Sequence, residues 1–229
     1  SQDIKDNRLR PSILVNQKLL LDAPPDIYHQ LKKFAINPTN ITDIILTHAH
    51  DDHIMGLYDL GHIYQKKQKI NLISTQGVLT YVRKKMGVSI MGFKQIEIKP
   101  FEKIDLDIQF SGWLIPVIHS VEAYAVKIKA GKPLVYAPEF RKILPSSKKY
   151  LGDLELAIID GSSKTGEGQA KGHETIEEGI RLGQEIKAKK ILFTNIGHKT
   201  DRHEALEHFV KEKGGQKFGI AFDGLEITM

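Results

Sequence analysis

No cysteine occurs among the 229 residues, which excludes disulfides, thiolate metal sites and a cysteine nucleophile. Any metal must therefore be held by nitrogen and oxygen. No apolar run approaches the roughly 20 residues that cross a bilayer, and Ser1-Gln2-Asp3-Ile4-Lys5 has no signal-peptide character. A cytoplasmic protein without a membrane partner is expected, and an opening without methionine leaves room for residues ahead of Ser1. P-loop and dinucleotide fingerprints are also missing, and the glycine-rich stretch 161–172 is by itself a weak phosphate signal. Nor does charge of one sign dominate. The net +5 comes largely from the pairs Lys32-Lys33, Lys66-Lys67, Lys84-Lys85, Lys148-Lys149 and Lys189-Lys190, which read as solvated faces at element ends. A nucleic-acid track would be clustered, so nucleic acid is a disfavoured partner.

What is present is a dense polar stretch, Thr47-His48-Ala49-His50-Asp51-Asp52-His53, directly after the apolar run Ile44-Ile45-Leu46. A buried strand would deliver these residues to one edge of a sheet. Side chains alternate along a strand, so His48 and His50 would face the same side and grip one ion. Where the strand gives way to a loop, Asp52 and His53 can turn toward a second. Imidazoles with a carboxylate suit zinc first, with manganese or iron as alternatives, whereas magnesium and calcium prefer oxygen alone. The competing reading is a polar loop whose histidines cap the next helix; the full pattern after an apolar strand favours metal.

The rest of the chain supplies the setting. With 41% hydrophobic residues it can bury a full core, and a single domain over 1–229 is expected. Ser12–Val15 and Lys18–Leu21 read as a hairpin turning at Asn16-Gln17. Pro24-Pro25-Asp26 opens a helix to Phe34 with Ile27, Leu31 and Phe34 on its apolar face. Further strands are expected at 42–47, 70–74, 95–98, 113–119, 124–128, 134–137, 154–160, 190–194, 218–222 and 225–228. Helices are expected at 54–68, 76–86, 174–187 and 201–213. Alternating strands and helices followed by a run of strands suit an α/β sandwich of αββα type: two mixed sheets face to face, helices on the outer faces. His29, His62, His203 and His208 are expected on helix surfaces. The polar loop 161–172 lies where it could fold over a substrate.

The His-x-His-x-Asp-His pattern resembles the signature of the metallo-β-lactamase fold. Leu21-Asp22-Ala23-Pro24-Pro25-Asp26 upstream and Ile54-Met55-Gly56-Leu57-Tyr58-Asp59-Leu60 downstream resemble one branch of it. That branch contains the phosphodiesterase of phosphonate breakdown, the pyrroloquinoline quinone biosynthesis protein B and, further off, the transfer-RNA 3′-processing endonucleases. The resemblance runs from about Ile13 to the C-terminus, without the glycine-containing strand that usually opens the family. It implies that His119, at a strand end, completes a three-histidine site with His48 and His50. It places Glu139 where hydrolases carry a metal-bridging aspartate, the extra methylene requiring the backbone to stand further back. Gly172-His173 resembles the Gly-His that precedes the corresponding family helix and helps shape the site. Histidines that the nuclease relatives carry are replaced here by Asn195 and Phe222, and His198 stands by as a replacement ligand.

The expected function is a metal-dependent hydrolase of a small-molecule or nucleotide-type phosphodiester, using a hydroxide on one or two divalent ions. A metal lowers the pKa of bound water from about 15.7 to about 7. The expected ligands are His48, His50, Asp52, His53, His119, Glu139 and His198. Asp52 would also orient the hydroxide, and His198 or His173 would protonate the leaving oxygen. Two other readings stay open: a noncatalytic or cofactor-pathway metal protein, and an RNA-processing nuclease.

Overall fold

The computed structural model describes residues 3–64, 70–107, 110–166, 173–198 and 200–229. Among these, the first sheet runs in the order β1 (Ile13–Val15), β2 (Leu19–Leu21), β3 (Asp43–Ile45), β4 (Ile70–Ser74), β5 (Phe93–Glu97). Only β1 and β2 are antiparallel; the other neighbours are parallel. Asn16 and Gln17 join that hairpin with φ of 46° and 59°, the double left-handed turn that matches strand twist.

The second sheet is built from β6 (Lys103–Asp107), β7 (Phe110–Ile118), β8 (Ala123–Ala130), β9 (Lys132–Ala137), β10 (Lys142–Ile143), β11 (Leu156–Asp160), β12 (Lys190–Thr194) and β13 (Phe218–Ile220). Its order is β10-β7-β8-β9-β11-β12-β13, with β6 also pairing β7. Strand β8 is antiparallel to β7 and β9, and β9, β11, β12 and β13 are mutually parallel. The C-terminal ends of β7, β9, β11 and β12 therefore share one edge.

Two-residue periodicity divides the apolar side chains between two cores. Val126, Ile128, Leu134, Tyr136, Leu156 and Ile158 face the first sheet. Their neighbours Ala125, Val135, Ala137, Ala157 and Ile159 face α6 (Ile176–Glu185) and α7 (His203–Gly214), which come after the short α5 (Pro145–Lys148) in the chain. On the other side, α1 (Ile27–Lys33), α3 (Leu57–Tyr64) and α4 (Gln76–Met86) cover the first sheet through Leu31, Leu60 and Leu79. The result is the expected αββα sandwich of the α/β class.

Several details depart from the sequence reading. The helix expected from Ile54 begins earlier, as α2 (Asp51–Ile54), and is interrupted before α3. Asp51 and Asp52 occupy its first turn, where carboxylates meet the positive end of the helix dipole. Its expected end at Gln68 lies outside the described residues. The strand expected at 225–228 is not a strand. Leu225, Ile227 and Met229 alternate inward against the first core, so the apolar period reflects packing without a ladder. Phe34 falls beyond the end of α1 and is 37% exposed. His203, expected on the surface, is buried at the start of α7 against Arg8 and Phe222. His29, His62 and His208 are exposed. Much of the loop 161–172 (residues 167–172) lies outside the described residues.

One close approach governs the placement of α2. Gly56 donates to the Ala23 carbonyl (2.9 Å) and Ala23 donates to the His53 carbonyl (2.8 Å). A Cβ on Gly56 would lie 2.1 Å from the Pro24 carbonyl oxygen. Gly56→Ala must therefore push α2 away from the 22–24 segment, an overpacking cost of about 1–3 kcal/mol. A chemical-denaturation curve should show the lowered midpoint.

Candidate metal centre

The convergence of side chains begins with strands ending at one edge. Thr47 and His48 leave β3 and stitch the two sheets together: Tyr124 donates to the Thr47 carbonyl (3.0 Å), and His48 forms an isolated bridge with Ala123. His119 follows β7, Glu139 follows β9, Asp160 ends β11 and Asn195 follows β12. Ligand sites commonly gather at such carboxyl ends. His50 caps α2 with extended backbone, and Asp52 and His53 ride in the helix; the sequence reading had them on a strand and a loop.

Glu139 sits at the centre, 6% exposed. Its Oε2 lies 3.1 Å from His48 Nε2, 3.1 Å from His119 Nε2 and 3.5 Å from His50 Nδ1. His50 Nδ1 is 3.1 Å from His48 Nε2 and 3.2 Å from His119 Nε2. Glu139 Oε1 points the other way, 3.3 Å from His53 Nε2, and accepts a 2.8 Å hydrogen bond from Asn195 Nδ2. His53 Nε2 is 3.9 Å from Asp52 Oδ2.

His53, His48 and His50 are each contacted on the far side of the ring from Glu139. Asp22 is fully buried and accepts from the Thr47 amide (2.8 Å) and hydroxyl (2.8 Å), while its Oδ2 lies 2.8 Å from His53 Nδ1. Its φ of 60° is a left-handed conformation that aspartate tolerates better than most residues, and it turns the carboxylate back from β2. The Thr47 hydroxyl also lies 2.9 Å from His48 Nδ1, and Ser120 Oγ 3.4 Å from His50 Nε2. Asn195 repeats the left-handed device after β12, at φ 56°. Beside these groups, His173 Nδ1 lies 2.8 Å from Asp160 Oδ2, an oxygen that also accepts from the Phe140 amide. A capping box at Thr175 and Glu178 starts α6 directly after His173.

The electrostatics follow from burial and crowding. Burial alone would raise the Glu139 carboxyl, but His119, His48 and His53 outweigh it and hold the group far below the usual carboxylate range. Burial would likewise lower His53, yet Asp22 and Glu139 overcome this and push it up to about 10. His48 is pushed down, by burial first. His173 is raised, first by its bond to Asp160. A buried carboxylate among imidazoles thus recruits a proton onto His53 when no other cation is present.

The donor atoms meet the geometric demands of a metal. Four ligands about 2.0–2.1 Å from a tetrahedral zinc lie about 3.3–3.4 Å apart. The five separations given above for His48, His50, His119 and Glu139 span 3.1–3.5 Å. The second group, Asp52, His53 and Glu139, also has donor atoms within 4.8 Å of one another. Its His53 Nε2 is buried and, among the described residues, has no hydrogen-bond partner, while Nδ1 is engaged by Asp22, the arrangement that leaves Nε2 for a metal. Of the ligands expected from sequence, six are thereby brought into two groups sharing Glu139. His198 belongs to neither: it is exposed, on the rim of a cavity that also takes in Asp52, Glu139 and His173. Phe222 packs edge-on against His203.

Asp22, Thr47 and Asp160 escaped the sequence reading as site residues. The signal was there. Asp22 and Asp160 each terminate an apolar strand run, Leu19-Leu20-Leu21 and Leu156-Ala157-Ile158-Ile159, as the opening motif does.

The fold and this centre place the chain in a recognised group of metal-dependent proteins. The model of the β-lactamase superfamily domain matches residues 17–196, and the chain belongs to that superfamily. A diphosphatase from the PhnP family is 25% identical, with a TM-score of 0.86 over 100% of this chain and 88% of that one. A ribonuclease Z of Pyrobaculum islandicum is 21% identical across 98% of the chain and 94% of its own length. An octanoyltransferase of Porphyromonas gingivalis is 25% identical over the whole chain, which spans only 46% of that protein.

Asp22→Asn should weaken divalent-metal affinity by about 10–100-fold, the usual effect of removing a group that orients a ligating histidine. Competition with a chromophoric chelator measures it.

Proposed function

We propose that the chain is a metal-dependent hydrolase of phosphodiesters. The observation that carries this reading is the single buried carboxylate of Glu139 shared by two groups of metal donors. Divalent ions held by His48, His50, His119, Glu139, His53 and Asp52 would supply Lewis-acid charge to a phosphoryl oxygen and lower the pKa of water. The extra methylene of glutamate fits, since its two oxygens reach opposite groups. Asn195 holds Oε1 in place, so this residue, which takes the position of a family histidine, acts on the bridging carboxylate and not on an ion.

The proton for the leaving oxygen is assigned to His173. It lies against the centre, with its ring centroid 5.4 Å from that of His119. Asp160 fixes its orientation through Nδ1 and raises it above the ordinary histidine range, and the ring lines the cavity that also takes in Glu139 and Asp52, the place for a proton donor. His198, on the rim, is placed to meet the substrate outside the reacting centre. The diphosphatase similarity over the whole chain favours a small phosphoester substrate. A nuclease activity is the second reading, favoured by the ribonuclease Z relative that aligns over nearly all of its own length.

Glu139→Ala should abolish turnover and remove bound metal from both groups, as read by metal analysis beside a phosphodiester screen. His173→Gln should lower kcat by about 10²–10⁴-fold with metal content unchanged. Because the donor is the protonated form of a histidine whose pKa is raised, kcat should fall as pH rises through that pKa. Asp160→Asn removes the raising charge and should move this alkaline limb to lower pH. RNA binding that drops steeply with salt, without turnover of small diesters, would favour the nuclease reading instead.

A further inference from the structure

One carboxylate outside the metal centre ties the two halves of the sandwich together close to a metal donor. Residues 119–122 connect β7 to β8 and carry His119, a member of the group with His48, His50 and Glu139. They also carry Ser120, whose hydroxyl lies 3.4 Å from His50 Nε2. The connection ends at Glu122. As a residue Glu122 is exposed, and a surface acid would ordinarily point into water. Its carboxylate turns instead onto elements of the first sheet's layer. Oε1 accepts hydrogen bonds from the hydroxyls of Thr75 (2.6 Å) and Tyr124 (2.7 Å). Oε2 lies over Gly77, where an added Cβ would collide with it.

Thr75 and Gly77 belong to the start of α4. Thr75 is the N-cap of that helix but makes no side-chain capping bond, and the first turn contains no acidic residue. Glu122 therefore brings negative charge to the positive end of the helix from the other sheet, and the glycine leaves the room that the carboxylate occupies. Backbone contacts hold the strand just beyond: Tyr124 donates to the Thr47 carbonyl, and Ala123 bridges His48. Those attachments lie downstream of residues 119–122, so the Glu122 side chain fastens the connection itself. We infer that Glu122 is a positioning residue for the group of His48, His50, His119 and Glu139. It clamps the β7–β8 connection to the N-terminus of α4, so that His119 and Ser120 meet His50 in register. This rests on the metal reading of the centre and is independent of which ester is cleaved.

Metal affinity separates a clamp from a simple helix cap. Zinc is titrated into the full metal-free chain in competition with a chromophoric chelator, and thermal unfolding is followed on the same metal-free samples. Glu122→Ala should weaken zinc binding by about tenfold, the lower end of the usual effect of contacts behind a metal ligand. Glu122→Gln keeps an oxygen for Thr75 and Tyr124 and should restore most of that loss. Gly77→Ala is the sharpest variant, because it adds a helix-favouring residue to α4 while evicting the carboxylate without deleting it. Its zinc affinity should fall as in Glu122→Ala although its melting temperature does not, and the double variant should bind no more weakly than either single one. Zinc affinity unchanged in both Glu122→Ala and Gly77→Ala, even with a shifted melting temperature, would make Glu122 a helix cap only and overturn the clamp. Losses that add in the double variant would overturn it as well. A native chain that takes up no zinc would overturn the metal reading of the centre and the clamp with it, whereas native uptake matched by both variants overturns the clamp alone.

Discussion

The structure depends on one buried negative charge. Glu139 carries a carboxylate into a space where isolated ionisation would be prohibitive, and its surroundings exist to compensate it. Histidines from the loop after β3, from α2 and from the end of β7 surround its two oxygens, and Asn195 adds a hydrogen bond. The compensation must be positive and divided between two sides. The raised pKa of His53 beside Asp22 and Glu139 favours its protonated form, which provides part of it, and a divalent cation, if bound, would provide more and displace that proton.

This demand explains why the sandwich is arranged as it is. Parallel strand directions bring the ends of β7, β9, β11 and β12 to one rim, and the Thr47–Tyr124 hydrogen bond holds the first sheet's β3 beside it. Behind the rim a second layer of carboxylates, Asp22 and Asp160, orients His53 and His173. Each is buried; Asp22 follows directly on β2 and Asp160 ends β11. Rigid elements thereby fix both the groups that would touch metal and the groups that aim them.

Much of this was legible in the sequence. The apolar run Ile44-Ile45-Leu46 with the histidine pattern marked the edge and most of the donors. The alternation of strands and helices marked the layered sandwich, and the resemblance supplied His119 and Glu139. Less legible were contacts that depend on tertiary convergence. Nothing local to Asp22 shows that a left-handed turn returns its carboxylate to His53. Asn195 reads from sequence as a lost histidine, whereas in space it serves the carboxylate that two donor groups share. The inward alternation of Leu225, Ile227 and Met229 has a strand's period, yet among the described residues no neighbouring strand is paired with it. His203 looked like a surface residue because helix position alone does not reveal that Arg8, 195 residues away, packs on it.

The separation of the donors along the chain has a consequence for how the protein comes into being. His48 and Glu139 lie 91 positions apart and belong to different sheets, so neither sheet alone possesses the four-donor group. During synthesis the first sheet emerges with its histidines ready but with the central carboxylate still unmade, and contacts of such long range form late. A tightly held ion would then arrive only after the two sheets have docked. Metal capture at such a site would seal a finished assembly and would not be the scaffold on which assembly begins.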